Sequence, residues 1–99
     1  MDIKKYEVFV TTVDCGSLTK AAELMGLTQS GVSHIIAAVE AEVNLPLLKR
    51  TRTGARLTPE GEKLIPFLRE IVRQEKLMMK EAERMHELVG GTIRIGTFT

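Results

Sequence analysis

The sequence predicts a mainly α chain in which three short helices precede a small basic hairpin and one long helix. Three observations predict it. Apolar residues recur at helical spacing through residues 3–14, 18–25 and 29–43. Pro46 then breaks the pattern, and residues 46–58 have the composition of two short strands around a glycine-containing tip. From Thr58-Pro59 the helical periodicity resumes and runs to Gly90-Gly91.

Composition bounds what such a chain can be. Its 99 residues include three Phe, one Tyr and no Trp, so the core has to be built mainly from aliphatic side chains. The 43% hydrophobic and 27% charged fractions are those of a globular chain and argue against wholesale disorder. The apolar runs are too short for a transmembrane helix, and Met-Asp-Ile-Lys-Lys lacks an apolar signal core. No membrane partner and a cytoplasmic location are therefore expected. The single cysteine, Cys15, can form neither an intrachain disulfide nor a Cys-rich zinc site, and reads as a small residue at a helix end. Net charge is +1, but it is unevenly spread: residues 1–27 carry −1, residues 28–58 carry +2, and residues 59–89 carry −1. Within 49–56 four of eight residues are cationic and none is acidic. Such a local concentration is how a groove-binding element looks.

Each element has its own signals. The first helix is expected over about Ile3 to Asp14, with Ile3, Tyr6, Phe9, Val10 and Val13 as its apolar stripe and Gly16 as its stop. Ser17 is placed to cap a second helix, Leu18 to Met25, whose Ala21-Ala22 pair permits close approach by a neighbour. Gly26 ends it, and only Leu27 and Thr28 separate it from a third helix, Gln29 to Val43. Thr28 is the expected N-cap of that helix. Val32, Ile35, Ile36, Val39 and Val43 form its buried face, and Asn44 takes the left-handed cap. Leu47-Leu48-Lys49-Arg50 and Ala55-Arg56-Leu57 are the two strands, with Arg52-Thr53-Gly54 as the tip. Pro59 suits the first position of the long helix, and Glu60 and Glu62 its positive end. The apolar seam of that helix is Leu64, Leu68, Ile71, Met78, Ala82, Met85 and Val89, a heptad pattern with one polar gap at Glu75. Ile65, Val72 and Met79 add a second row. Pro66 removes one hydrogen bond near the start and is a potential bend. Residues 92–99 alternate like a strand with no partner in the chain, as if the sequence were cut inside a further domain.

Two helices joined by a short glycine-containing turn make a helix-turn-helix. Ala22 sits four residues before Gly26 and lets the helices cross closely; Val32, six after it, plugs the angle between them. A helix before and a basic hairpin after give the winged variety. The expected fold is therefore a winged helix-turn-helix, a three-helix core with a β-hairpin wing, followed by a long dimerisation helix.

Residues 1–89 resemble the N-terminal part of the LysR-type bacterial transcriptional regulators. The matching residues are Phe9 and Val13, Ser17-Leu18-Thr19-Lys20-Ala21-Ala22, Leu27-Thr28-Gln29-Ser30-Gly31-Val32-Ser33, Glu40, Leu45-Pro46-Leu47, Arg50 and Leu57-Thr58-Pro59-Glu60-Gly61. Thr92-Ile93-Arg94-Ile95-Gly96 is similar to the opening strand of the family's effector-binding domain. Ser30, Gly31, Asn44 and Leu48 stand where the family more often has Pro, Ala, Gly and Phe, and His34 where a longer basic or polar residue is frequent. The resemblance implies a DNA-binding domain at 1–58, a linker helix at 59–89 that pairs antiparallel with a second copy, and the first strand of a truncated effector domain at 90–99. It also implies a homodimer, or a tetramer in the full-length protein, on a palindromic operator, controlled by a small molecule through the missing domain.

A third helix entering the major groove from its N-terminal end makes Gln29, Ser30, Ser33 and His34 the candidate base readers. Thr19, Lys20 and Thr28 are candidates for the DNA backbone, and Arg50, Arg52 and Arg56 for phosphate or the minor groove. Leu64, Leu68, Ile71, Val72, Met78, Met79, Ala82 and Met85 are the candidate dimer contacts. His34 also reads as a partly packed surface histidine. A metal site is not expected, because His86 is far along another helix and no carboxylate or thiol completes a set. No cofactor is expected in this fragment. The alternative reading is a helix-turn-helix and coiled coil used only for protein assembly. An enzyme is not expected, since the sequence has no metal set, phosphate-cradling loop or acid–base pair.

Overall fold

The computed structural model describes residues 3–90. It contains α1 (Lys4–Cys15), α2 (Leu18–Met25), α3 (Gln29–Val43), β1 (Leu48–Thr51), β2 (Gly54–Leu57) and α4 (Pro59–Gly90), in that order. The observed starts and stops follow the capping residues. Ser17 Oγ accepts from the Lys20 amide at 3.2 Å, and Thr28 Oγ1 from the Gly31 amide at 3.0 Å. Gly16, Gly26 and Asn44 close α1, α2 and α3 in the left-handed region. Thr58 Oγ1 accepts from the Gly61 amide at 3.0 Å while donating to the Pro46 carbonyl, which ties the start of α4 to the loop before β1.

One core joins all the elements. Val8, Phe9 and Thr12 of α1, Leu18, Ala21 and Ala22 of α2, and Val32, Ile36 and Val39 of α3 are buried together. Leu47, Ala55, Ile65 and Leu68 close the cluster from the hairpin side and from α4. Ala22 and Val32 lie where their spacing about Gly26 put them, both buried at the crossing of α2 and α3. Val43, expected on the buried face of α3, is 42% exposed, since it borders an open apolar pocket with Tyr6, Phe67 and Ile71 rather than the closed core. Thr12, the buried polar residue of α1, turns its hydroxyl to the Val8 carbonyl at 2.8 Å, so burial leaves no polar atom unsatisfied.

The hairpin pairs Leu48 with Leu57, Lys49 with Arg56, Arg50 with Ala55 and Thr51 with Gly54, antiparallel. The tip is therefore Arg52-Thr53; Gly54, expected in the tip, and Thr51 belong to the strands, and Leu47 is a buried anchor outside β1. Two close approaches fix where the hairpin sits. The Ala55 amide donates to the Gly16 carbonyl at 2.9 Å, and a Cβ on Gly54 would stand 2.1 Å from that same oxygen. A Cβ on Gly61 would stand 2.2 Å from the Leu47 carbonyl oxygen. The Glu40 carboxylate accepts from the Leu47 and Leu48 amides at 2.8 and 3.0 Å, holding the entry to β1 against α3.

α4 has 32 residues and runs through Pro66 without a break. At 1.5 Å per residue it is about 48 Å long. Leu68, expected in the dimer seam, is only 7% exposed and belongs to the chain's own core, with Leu64 packed against that core. Leu68 is therefore a core residue and not a dimer contact, whereas Leu64 stays partly exposed beside Phe67 and Ile71. The side chain of Val89 and the expected strand at 92–99 lie outside the described residues.

Candidate nucleic-acid interface

The α2 N-terminus, the α3 N-terminus and the hairpin tip converge on one side of the domain. They enclose an open cleft of about 310 Å³ whose walls include Ser17, Thr19, Gln29, Arg50, Arg52 and Gly54. Amides at a helix N-terminus present partial positive charge, and arginines line the opposite wall, so the cleft is chemically suited to an anion.

The sequence-predicted residues divide within this frame. Gln29 is exposed at the first position of α3, and Ser33 lies one turn further on the same face. Ser33 is half-buried because its hydroxyl accepts a hydrogen bond from the Arg50 guanidinium. The Ser30 hydroxyl lies 3.3 Å from Thr28 Oγ1, turned back toward the cap. His34 is exposed but sits five residues beyond Gln29, rotated about 140° from it around the helix. Thr19 and Lys20 are exposed on the first turn of α2, and Thr19 reaches the cleft.

The three wing arginines do not form one set. Residues opposite each other in an antiparallel pair share a face, and Ala55 is buried. Its partner Arg50 therefore lies on the face turned to the helices, while Arg56 and its partner Lys49 share the other face. Arg52 is exposed at the tip between them. Lys49 was not singled out in the sequence; strand alternation, once the register is known, is the signal that pairs it with Arg56. Like charges directly opposite each other destabilise a hairpin, and a bound anion relieves that repulsion.

Several acids of the domain are engaged away from the wing. The Glu42 carboxylate takes the Tyr6 hydroxyl at 2.7 Å and the Lys5 ammonium, and these bonds hold its pKa below the ordinary carboxylate value. Arg69 chelates Asp14 through two bonds at 2.8 and 3.2 Å, which raises the pKa of the guanidinium. Glu7 pairs with Lys76, Glu70 with Arg73 and Glu81 with Arg84. No carboxylate occurs in the sequence between Glu42 and Glu60. Among the described residues, Lys49, Arg50, Arg52 and Arg56 have no carboxylate partner. No group of three or more His, Cys, Asp or Glu among those residues could hold a metal ion.

A second exposed feature lies on α4. Ile71, Met78, Met79 and Met85 of the expected seam are between 38% and 54% exposed, and Val72 and Ala82 are half-buried. Phe67, 67% exposed, and Leu88, 71% exposed, extend the outward row, and neither was singled out in the sequence. The heptad frame missed Phe67 because it placed Leu68 in the seam. Phe67 is four residues before Ile71, so it continues the outward row where Leu68 turns in.

Three helices, a buried helix-turn-helix crossing and a basic wing define a winged helix-turn-helix regulator. Residues 3–62 match the model of the bacterial regulatory helix-turn-helix proteins of the lysR family. The chain belongs to that family. It is 38% identical over 100 residues to the HTH-type transcriptional regulator YvbU of Bacillus subtilis, a match covering all of this chain and 34% of that protein. It is 34% identical over 96 residues to the nitrogen assimilation regulatory protein nac of Escherichia coli, covering 97% of this chain and 32% of that protein. Among solved structures it is similar to Vibrio fischeri DarR in complex with DNA, with TM-score 0.80 and 27% identity over 91% of this chain and 31% of that one. The BenM DNA-binding domain bound to benA site 1 DNA gives TM-score 0.78 and 27% identity, over 91% of this chain and 99% of that one. The chain thus spans about a third of the length of these curated relatives. The family and these relatives are transcriptional regulators, not enzymes. No helix among the described residues is long and apolar enough to cross a membrane.

Proposed function

We propose that the chain binds double-stranded DNA sequence-specifically, as the reading head of a LysR-type regulator. The observation that carries this reading is the run of wing cations without carboxylate partners beside the exposed N-terminal turn of α3. α3 enters the major groove, where Gln29 pairs with adenine through two hydrogen bonds and Ser30, Ser33 and His34 are the neighbouring candidates. The phosphates of one strand meet the cleft between Thr19 and the wing residues Arg50 and Arg52, Lys20 and Thr28 are further backbone candidates beside it, and Arg56 with Lys49 serves the outer face of the wing. Structural relatives held in complex with DNA support duplex binding.

The functional unit is a homodimer. The outward row of Phe67, Ile71, Met78 and Met85, with Val72, Met79 and Ala82 beside it, packs against the same row of a second copy, and the two-fold axis meets a palindromic operator. In the full-length protein a further domain binds a small-molecule effector that controls the regulator in the bacterial cytoplasm, and the assembly there is a dimer or a tetramer. Duplex recognition of this kind calls for no cofactor. Selection of bound sites from random DNA tests the reading: the parent enriches an inverted repeat, and Gln29→Ala loses about 1–3 kcal/mol on that site together with discrimination at one base pair of each half. Failure of the parent to enrich any sequence would refute specific recognition and favour a module used only for assembly.

A further inference from the structure

The Arg50–Ser33 contact joins the wing to the middle of α3, and it changes what Ser33 can do. Arg50 lies on the inner face of the hairpin, and its guanidinium donates to the Ser33 hydroxyl across the gap between β1 and α3. The same arginine lines the cleft that also holds Ser17, Thr19, Gln29 and Arg52. A guanidinium has five N–H donors, so the bond to Ser33 leaves the rest of the fork available to an anion. An arginine side chain otherwise loses considerable rotamer entropy when it is immobilised on a ligand, and a bond that already fixes its plane reduces that loss.

We propose that Ser33 is a positioning residue for Arg50, holding its guanidinium toward the cleft so that one phosphate is bound between the wing and the N-termini of α2 and α3. This rests on the DNA-binding reading, and it moves Ser33 from the base-reading group to the phosphate group. Ser33 then affects every sequence alike, and it acts only through Arg50. The choice of serine at this place follows from reach. A hydroxyl on a short side chain accepts the bond without filling the space the guanidinium occupies, and threonine retains that hydroxyl.

The test uses the whole chain and a fluorescein-labelled duplex carrying the selected site, beside a scrambled duplex, titrated across a salt series. Ser33→Ala is expected to weaken both duplexes by about tenfold, the scale of one charge-assisted hydrogen bond. The slope of log affinity against log salt is expected to flatten by about 0.9, the value of one phosphate contact. Ser33→Thr restores both quantities. Ser33→Ala combined with Arg50→Ala is expected to behave as Arg50→Ala alone, because each removes the same unit. Alanine favours a helix, so Ser33→Ala folds, and its circular dichroism spectrum verifies this. A loss confined to the selected duplex, or additive losses in the double variant, would overturn the positioning role and leave DNA binding standing. A parent with no salt-dependent affinity for either duplex would overturn the DNA-binding reading as well.

Discussion

Gly61 shows how a single missing side chain fixes the geometry of this domain. Its position lets α4 begin against the base of the hairpin, with the Leu47 carbonyl oxygen 2.2 Å and the Leu57 Cδ2 2.9 Å from where a Cβ would stand. Gly61→Ala gains about 1 kcal/mol of helix propensity. Against that, the backbone of the β1 entry has to move, an overpacking cost at or beyond the upper end of about 1–3 kcal/mol. Gly31 is the contrasting case, since its Cβ would meet only the Thr28 hydroxyl, at 3.0 Å. Gly61→Ala is expected to lower the urea midpoint clearly and Gly31→Ala to leave it nearly unchanged. Equal midpoints for the two would mean that the close approach at Gly61 relaxes freely. At this scale much was legible: Ser17, Thr28, Gly26 and Asn44 announce their caps because capping is local chemistry. The bond between Ser33 and Arg50 was not legible. It joins residues 17 apart on different elements, and nothing short of the packed fold says that a strand residue faces a helix.

Among the elements, α1 and α4 carry the contacts that decide stability and assembly. Glu42 on α3 takes hydrogen bonds from Lys5 and Tyr6 on α1, and these lower its pKa in the folded chain below 4.5. A carboxylate whose folded pKa is depressed stabilises the fold above its unfolded pKa, and that contribution is lost as pH falls through the folded value. Glu42→Gln is therefore expected to reduce thermal stability at neutral pH and to narrow its gap to the parent as pH falls below about 4.5. A gap that stays constant through the acid range would remove Glu42 as the titrating group. On α4 the two faces diverge after Pro66: Leu68 turns into the core, whereas Phe67, Ile71 and Met78 face outward. Met78→Asp is expected to yield folded monomers by sedimentation, with much weaker operator binding, while Leu68→Asp unfolds the domain. A monomeric parent at micromolar concentration would contradict the dimer. The heptad repeat showed that α4 has an apolar stripe, but periodicity alone cannot tell which residues of a wide stripe meet the chain's own core. That division depends on where the hairpin and α1 lie, which is why the repeat alone assigns Leu68 to the seam and the packed fold assigns it to the core.

The whole molecule separates two chemistries along its length. The helical body and first turns of α4 bury an aliphatic core, and Glu42, Asp14 and Glu7 are tied into pairs with Lys5, Arg69 and Lys76. The wing keeps its cations free of carboxylates beside the exposed start of α3, and the outer half of α4 presents Leu77, Met78, Met79, Met85 and Leu88. A net charge of +1 conceals this arrangement, since the average of a charge distribution says nothing about where an anion would sit. Fold class and element order were readable because each helix has a local signal at both ends and the hairpin is marked by Pro46 and Gly54. The site was readable only as a set of candidates. The strand register separated Arg56 from Arg50, and three-dimensional proximity brought Ser17 and Thr19 to the same cleft as Gln29. On the proposed reading, the wing and α3 together bind duplex DNA through phosphate contacts. The most direct measurement is the slope of log affinity against log salt for the parent and for Arg52→Ala on one duplex. The expected result is a steep negative slope for the parent, flattened by about 0.9 when Arg52 is removed. A parent slope near zero, or a slope unchanged by Arg52→Ala, would contradict it.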